Sequence, residues 1–156
     1  MTGLGFARLL ALATPAALLT GALSSQYIGG LYPCEMCHWQ RWPHYAAVPL
    51  ALLAIALRNH GAGRTLLLLA ALAIFASGAI GVFHSGVEYD WWKGLTSCST
   101  SPSSGGNFLD DVMATPIISC NQPQWTLFGI SLAGFNAIIS IAAAMTILWL
   151  TIRRLR

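Results

Sequence analysis

Charge is what this sequence has least of. Of 156 residues, 13 are Asp, Glu, Lys or Arg, or 8%, where a soluble domain carries about 25%. So few charges cannot coat a globule of this size in water, which excludes a free cytosolic enzyme. A disordered tail is excluded too, since it needs low hydrophobicity and high charge. The eight basic residues are scattered and the net charge is only +3. No basic patch exists for nucleic acid, and none is expected as a partner. There is no internal repeat, and Gly61-Ala62-Gly63 is too short for a dinucleotide fingerprint. What is abundant is apolar surface, at 56% of residues. An integral membrane protein remains.

Four charge-free apolar stretches are readable, at about 9–31, 42–57, 65–83 and 125–152. A spanning helix needs roughly 20 residues, so the second stretch is the shortest candidate, and Pro49 should kink it. Lipid offers the backbone no partners, so the spans must be helices. The expectation is an all-α, four-helix membrane bundle forming a single domain over 1–156. A cleaved signal peptide is the competing reading of the first stretch.

Charge sidedness gives orientation. Arg8, Arg58, Arg64, Arg153, Arg154 and Arg156 fall on one side of the spans, and all five acids fall on the other with Arg41 and Lys93. Positive-inside logic puts both termini in the cytoplasm and the loops 32–41 and 84–124 outside. Tyr27, Tyr32, Trp39, Trp42, Trp91, Trp92 and Trp125 gather at that outer boundary as an aromatic belt. Within the long second loop, Phe108, Leu109, Val112 and Met113 have the spacing of a short interfacial helix, although a turn reads equally well.

All four cysteines, Cys34, Cys37, Cys98 and Cys120, fall in the outer loops or at their edge, where an oxidising compartment permits disulfides. Cys34 and Cys37 form a C-x-x-C at the head of the second helix. A helix starting near Pro33 would lower the thiol pKa there. Cys98 and Cys120 are left as a second pair closing the long loop. Three readings compete for the C-x-x-C: a redox pair, half a zinc site, or a structural bridge. Zinc sites usually show a second C-x-x-C or an H-x-x-x-H, which the separation of Cys98 and Cys120 does not match, so no metal is expected. A bridge inside C-x-x-C closes too small a ring to stabilise much. The combination favours exchange between two redox pairs, with Cys34–Cys37 and Cys98–Cys120 as the resting disulfides.

Arg41 lies four residues after Cys37, one turn deeper on the same helix face. It can stabilise a Cys37 thiolate or an anion developing on an acceptor; the competing reading is an arginine snorkelling to headgroups. No haem, flavin or nicotinamide site is evident, so a lipid-soluble acceptor at the helix heads is the simple choice for the electrons. His84 ends the third stretch near that position and reads either as a donor to the acceptor or as an interfacial histidine. His38 and His44 flank the same helix head. Glu88 reads as a rim charge, or as a partner for Arg41 or Lys93.

The chain resembles the bacterial disulfide bond formation protein B family over nearly its whole length. The likeness rests on four spans, Cys34-Glu35-Met36-Cys37 followed by Gln40-Arg41, the pair Cys98 and Cys120, and Pro123-Gln124-Trp125 entering the last helix. It implies a thiol:quinone oxidoreductase of the bacterial inner membrane, with its active site on the periplasmic side. Such an enzyme reoxidises a soluble periplasmic thioredoxin-like dithiol oxidase and passes electrons to ubiquinone or menaquinone. By resemblance, Cys98 forms the mixed disulfide with the partner, Cys120 attacks Cys34, and Cys37 is a thiolate beside the quinone with Arg41 supporting it. The alternative is a four-span scaffold stapled by inert disulfides, which thiol trapping in cells would find uniformly oxidised.

Overall fold

A computed structural model describes residues 3–94 and 120–153. Within them run four helices, α1 (Gly3–Tyr27), α2 (Glu35–Ala56), α3 (Gly61–Glu88) and α4 (Leu132–Ile152). A two-stranded hairpin, β1 (Thr126–Leu127) and β2 (Ile130–Ser131), precedes α4 and pairs Thr126 with Ser131 antiparallel. Among the described residues, α1, α3 and α4 are each long and apolar enough to cross a membrane. The segment proposed for an interfacial helix, with Cys98, Arg154 and Arg156, lies outside the described residues.

The helix ends differ from the apolar stretches for local reasons. α1 stops at Tyr27, before Gly29 and Gly30, and Gly30 takes a left-handed φ of 66°. α3 runs past its apolar stretch at both ends, from Gly61 to Glu88, and α2 starts at Glu35, inside the expected outer loop 32–41. α4 starts seven residues later than the apolar run at Trp125. Phe128 and Gly129 adopt φ of 52° and 77°, which turn the chain into the hairpin. Ser131 then caps α4, its hydroxyl accepting from the Gly134 N–H at 3.1 Å.

The core is built from small residues. Ala7 and Ala11 of α1, Ala47, Ala51 and Ala54 of α2, Ala70 and Ala71 of α3 and Ala144 of α4 are fully buried around Leu67, Ile74 and Ile147. Lipid tails are as apolar as leucine, so membrane helices associate by close backbone approach. Gly81 shows how close: a Cβ there would meet Ala133 O at 3.0 Å and Ala137 N at 3.1 Å. Leu52, Leu53, Leu72, Ile138, Ile139 and Met145 instead face outward, as a lipid-facing shell requires.

The two ends of the bundle differ. At one end, Arg8 donates to Arg58 O at 3.2 Å and Arg64 to Thr151 O at 3.1 Å, while Arg153 stacks over Trp149. At the other end lie Cys34, Cys37 and Cys120, packed in a buried cluster with Met36, Trp39, Phe83 and Val87.

Candidate active site

The helix begins near Pro33 as expected: Cys34, the next residue, has an extended backbone and leads into α2 at Glu35. Cys34 is the N-cap, its Sγ accepting from the Cys37 N–H at 3.3 Å. Cys37 follows one turn later, and its Sγ lies 2.8 Å from that of Cys34. The pair stands as two thiols in contact; a covalent bridge would hold the sulfurs at about 2.05 Å. Cys120 is buried against the same cluster.

The two thiols differ in acidity, and Cys34 holds its proton the more tightly. Its thiol donates to Cys37 and is buried beside Cys37 and Cys120, which together push its pKa far above the ordinary thiol value. Cys37, in the polar head of α2 above the apolar stretch, is pulled below that value, first by the bond from Cys34 and further by the Arg41 charge; burial and Glu88 oppose this. Cys37 is thus the thiol that ionises more readily.

Arg41 is 8% exposed and does not snorkel. Its guanidinium donates to Gln26 Oε1 at 2.5 Å and to Ala22 O at 3.1 Å, both in the last turns of α1. There it favours the negative end of the helix dipole. His84 is also buried, with Nε2 3.4 Å from Cys34 Sγ and 3.7 Å from Glu88 Oε1. The reading of Glu88 as a rim charge is corrected: its side chain is 8% exposed and accepts a bond from the Ser131 hydroxyl, the residue that caps α4. Packing of α4 against α3 encloses it.

Two cavities meet at this site. A small one of about 60 Å³ opens over Cys34, Cys37, His84 and Glu88, walled by Gln122 and Gln124 of the segment after Cys120. A larger one of about 180 Å³ lies between α1, α2 and α4. Leu18, Leu19 and Phe135 make it apolar, and Cys37, Arg41 and His44 reach it. A cavity of about 150 Å³ suffices for one benzene ring.

Comparison with known proteins supplies the decisive observation. The family model described as disulfide bond formation protein DsbB matches residues 5–150. The chain belongs to the DsbB family. A disulfide bond formation protein B of Azoarcus sp. (strain BH72) is 31% identical over 148 residues, covering 89% of this chain and 87% of that protein. An uncharacterised protein of Rickettsia prowazekii (strain Madrid E) is 26% identical over 128 residues, covering 79% of this chain and 73% of that protein. No solved structure gives a significant match. Membership of the DsbB family makes this a membrane-bound thiol oxidoreductase serving disulfide bond formation.

Of the residues singled out in the sequence, the fold brings Cys34, Cys37, Cys120, Arg41 and His84 together. Cys98 lies outside the described residues, so its pairing with Cys120 stays an expectation. Cys34 Sγ, Cys37 Sγ and His84 Nε2 lie within 4.8 Å of one another, a donor set that linear spacing could not reveal. A buried amide chain also escapes a cysteine-led reading: Gln40 Nε2 to His84 Nδ1 at 2.7 Å, and Asn136 Nδ2 to Gln40 Oε1 at 2.8 Å. Its sequence signal is Asn136, an amide inside an apolar helix, which marks an interhelical bond or a functional site.

Proposed function

We propose that this protein reoxidises a soluble periplasmic thioredoxin-like dithiol oxidase and passes the electron pair to a membrane quinone. It would do so from the bacterial inner membrane, with both termini cytoplasmic and the cysteines on the periplasmic side. The observation that carries this reading is the C-x-x-C, with Cys120 beside it, opening onto an apolar cavity that Arg41 also lines.

The Cys98–Cys120 disulfide accepts attack from a partner thiolate, and Cys98 holds the mixed disulfide while Cys120 takes the electron pair of the broken bond. Cys120 then attacks Cys34 of the Cys34–Cys37 disulfide, and the pair passes to Cys37, whose environment favours the thiolate. The partner's second thiolate displaces Cys98 from the mixed disulfide. Cys98 in turn attacks Cys120, which restores Cys98–Cys120 and leaves Cys34 and Cys37 reduced. The apolar walls and Arg41 fit a quinone head group, whose carbonyl oxygen can accept from the guanidinium; His84 lines the smaller cavity that adjoins it. A quinone held there by these residues would supply the two-electron oxidant for the reduced pair. Cys34 and Cys37 return to the disulfide, and each partner dithiol oxidised accounts for one electron pair.

The test is a purified system of this protein, a reduced thioredoxin-like partner and quinone, followed by quinone absorbance. Turnover is expected with the native chain and abolished in Cys37→Ser. Partner oxidation that proceeds with no quinone consumed would refute the acceptor.

A further inference from the structure

The buried amide chain fixes more than packing. The Ser77 carbonyl can only accept, and Asn136 Nδ2 lies 3.2 Å from it, so the Asn136 amide nitrogen faces Ser77. The same nitrogen lies 2.8 Å from Gln40 Oε1, which must accept. At the other end of that amide, Gln40 Nε2 lies 3.3 Å from the Met36 carbonyl, again an acceptor only. Both ends of Gln40 are thus set by groups that cannot exchange roles. Toward His84 Nδ1, 2.7 Å away, Gln40 presents protons. Nδ1 must meet them with its lone pair. Neutral His84 therefore carries its proton on Nε2, facing Cys34 Sγ at 3.4 Å and Glu88 Oε1 at 3.7 Å.

That tautomer has a chemical consequence. When reduced, Cys34 and Cys37 with His84 Nε2 make a compact two-sulfur, one-nitrogen donor set of the kind zinc takes. A histidine that binds metal through Nε2 needs its proton on Nδ1, donated to a carboxylate, carbonyl or water. Gln40 offers a donor at that position instead. Turning the amide over would set its oxygen against the Met36 carbonyl and its nitrogen against that of Asn136.

We propose that Gln40, oriented by Asn136 and the Met36 carbonyl, is a positioning residue that holds the His84 proton on Nε2, so that His84 donates to Cys34 and is withheld from thiophilic cations as a third ligand. The reduced dithiol is thereby kept available for reoxidation. The inference needs only the reduced cysteines, whatever accepts their electrons.

The experiment uses the full chain in detergent, reduced and free of oxygen, titrated with Co²⁺ as the probe. Sulfur-to-cobalt charge-transfer and visible ligand-field bands report the ligands. The native chain should bind weakly and through sulfur, and His84→Phe should leave its affinity unchanged. Gln40→Glu presents an acceptor to Nδ1 and frees the Nε2 lone pair. It should tighten binding roughly 10- to 100-fold, the usual weight of such an outer partner, and His84→Phe in that background should remove the gain. Equal affinity in the native and Gln40→Glu chains would overturn the proposal, as would a native site that weakens when His84 is replaced. Should Gln40→Glu fail to fold, ¹⁵N resonances of the native ring decide, assigned by their loss in His84→Phe. A lone-pair nitrogen at Nδ1 is expected, and one at Nε2 would overturn the assignment.

Discussion

Replacing Arg41 separates its two structural jobs. The guanidinium fastens α2 to the end of α1 through Gln26 Oε1 and Ala22 O, and its charge favours the Cys37 thiolate beside the cavity. Alanine removes both. A hydrogen bond to a charged group contributes about 1.5–3 kcal/mol. If one such contact to negative charge at the Cys37–acceptor site is lost, quinone-linked efficiency should fall about 10- to 150-fold. Lysine keeps the charge but not the planar fork, and one ammonium cannot span both α1 acceptors as the guanidinium does. Arg41→Lys should therefore recover only part of the loss. The assay is steady-state quinone reduction, alongside trapping of the partner's mixed disulfide in a Cys120→Ser background, which Arg41 should not affect. If Arg41 serves only as a helix tie, its variants will melt earlier in detergent yet turn over normally once folded. Normal quinone kinetics in folded Arg41→Ala would falsify the electrostatic role.

Four further outcomes are expected. In the reduced protein, limiting alkylation should modify Cys37 before Cys34; because the Cys37 pKa is lowered, its reactivity should persist below the ordinary thiol range and fade only as pH drops through its own value, as peptide mass spectrometry can follow. Gly81→Val should push α4 from α3 and destabilise the bundle by about 1–3 kcal/mol, since backbone atoms stand 3.0 and 3.1 Å from the added Cβ; an unchanged unfolding midpoint in detergent would contradict that packing. Non-reducing peptide maps of the resting protein should give Cys34–Cys37 and Cys98–Cys120, and a dominant Cys34–Cys98 species would reject the two-pair scheme. Reporter fusions after Arg156 should read as cytoplasmic and fusions at Ser103 as exported; an exported signal at both would end the four-span orientation.

The cysteine site was legible because its signals are local. Cys34, Cys37 and Arg41 sit within eight residues, and helix periodicity alone puts Arg41 beneath Cys37. The start of α4 was not legible: Trp125, Leu127, Phe128 and Ile130 are as apolar as the helix they precede, and nothing in composition marks the left-handed backbone at Phe128. Burial of Glu88 depends on Ser131, 43 positions away, and the Gln40–Asn136 bond spans 96 positions. Such pairings follow from which helix faces meet, and a single sequence does not state that. The reach of Arg41 toward α1 escaped for the same reason.

Cys34 is both the cap of α2 and a sulfur that exchanges partners. The acceptor holding the first turn is thus an atom whose bonding partner changes during catalysis. A sulfur tied to Cys37, tied to Cys120 or carrying a proton points its lone pairs differently, so the grip on the Cys37 amide shifts with each exchange. The helix end becomes a built-in gauge of oxidation state. The chemical shift and solvent exchange of that one amide proton can time the catalytic cycle without any added label on the cysteines.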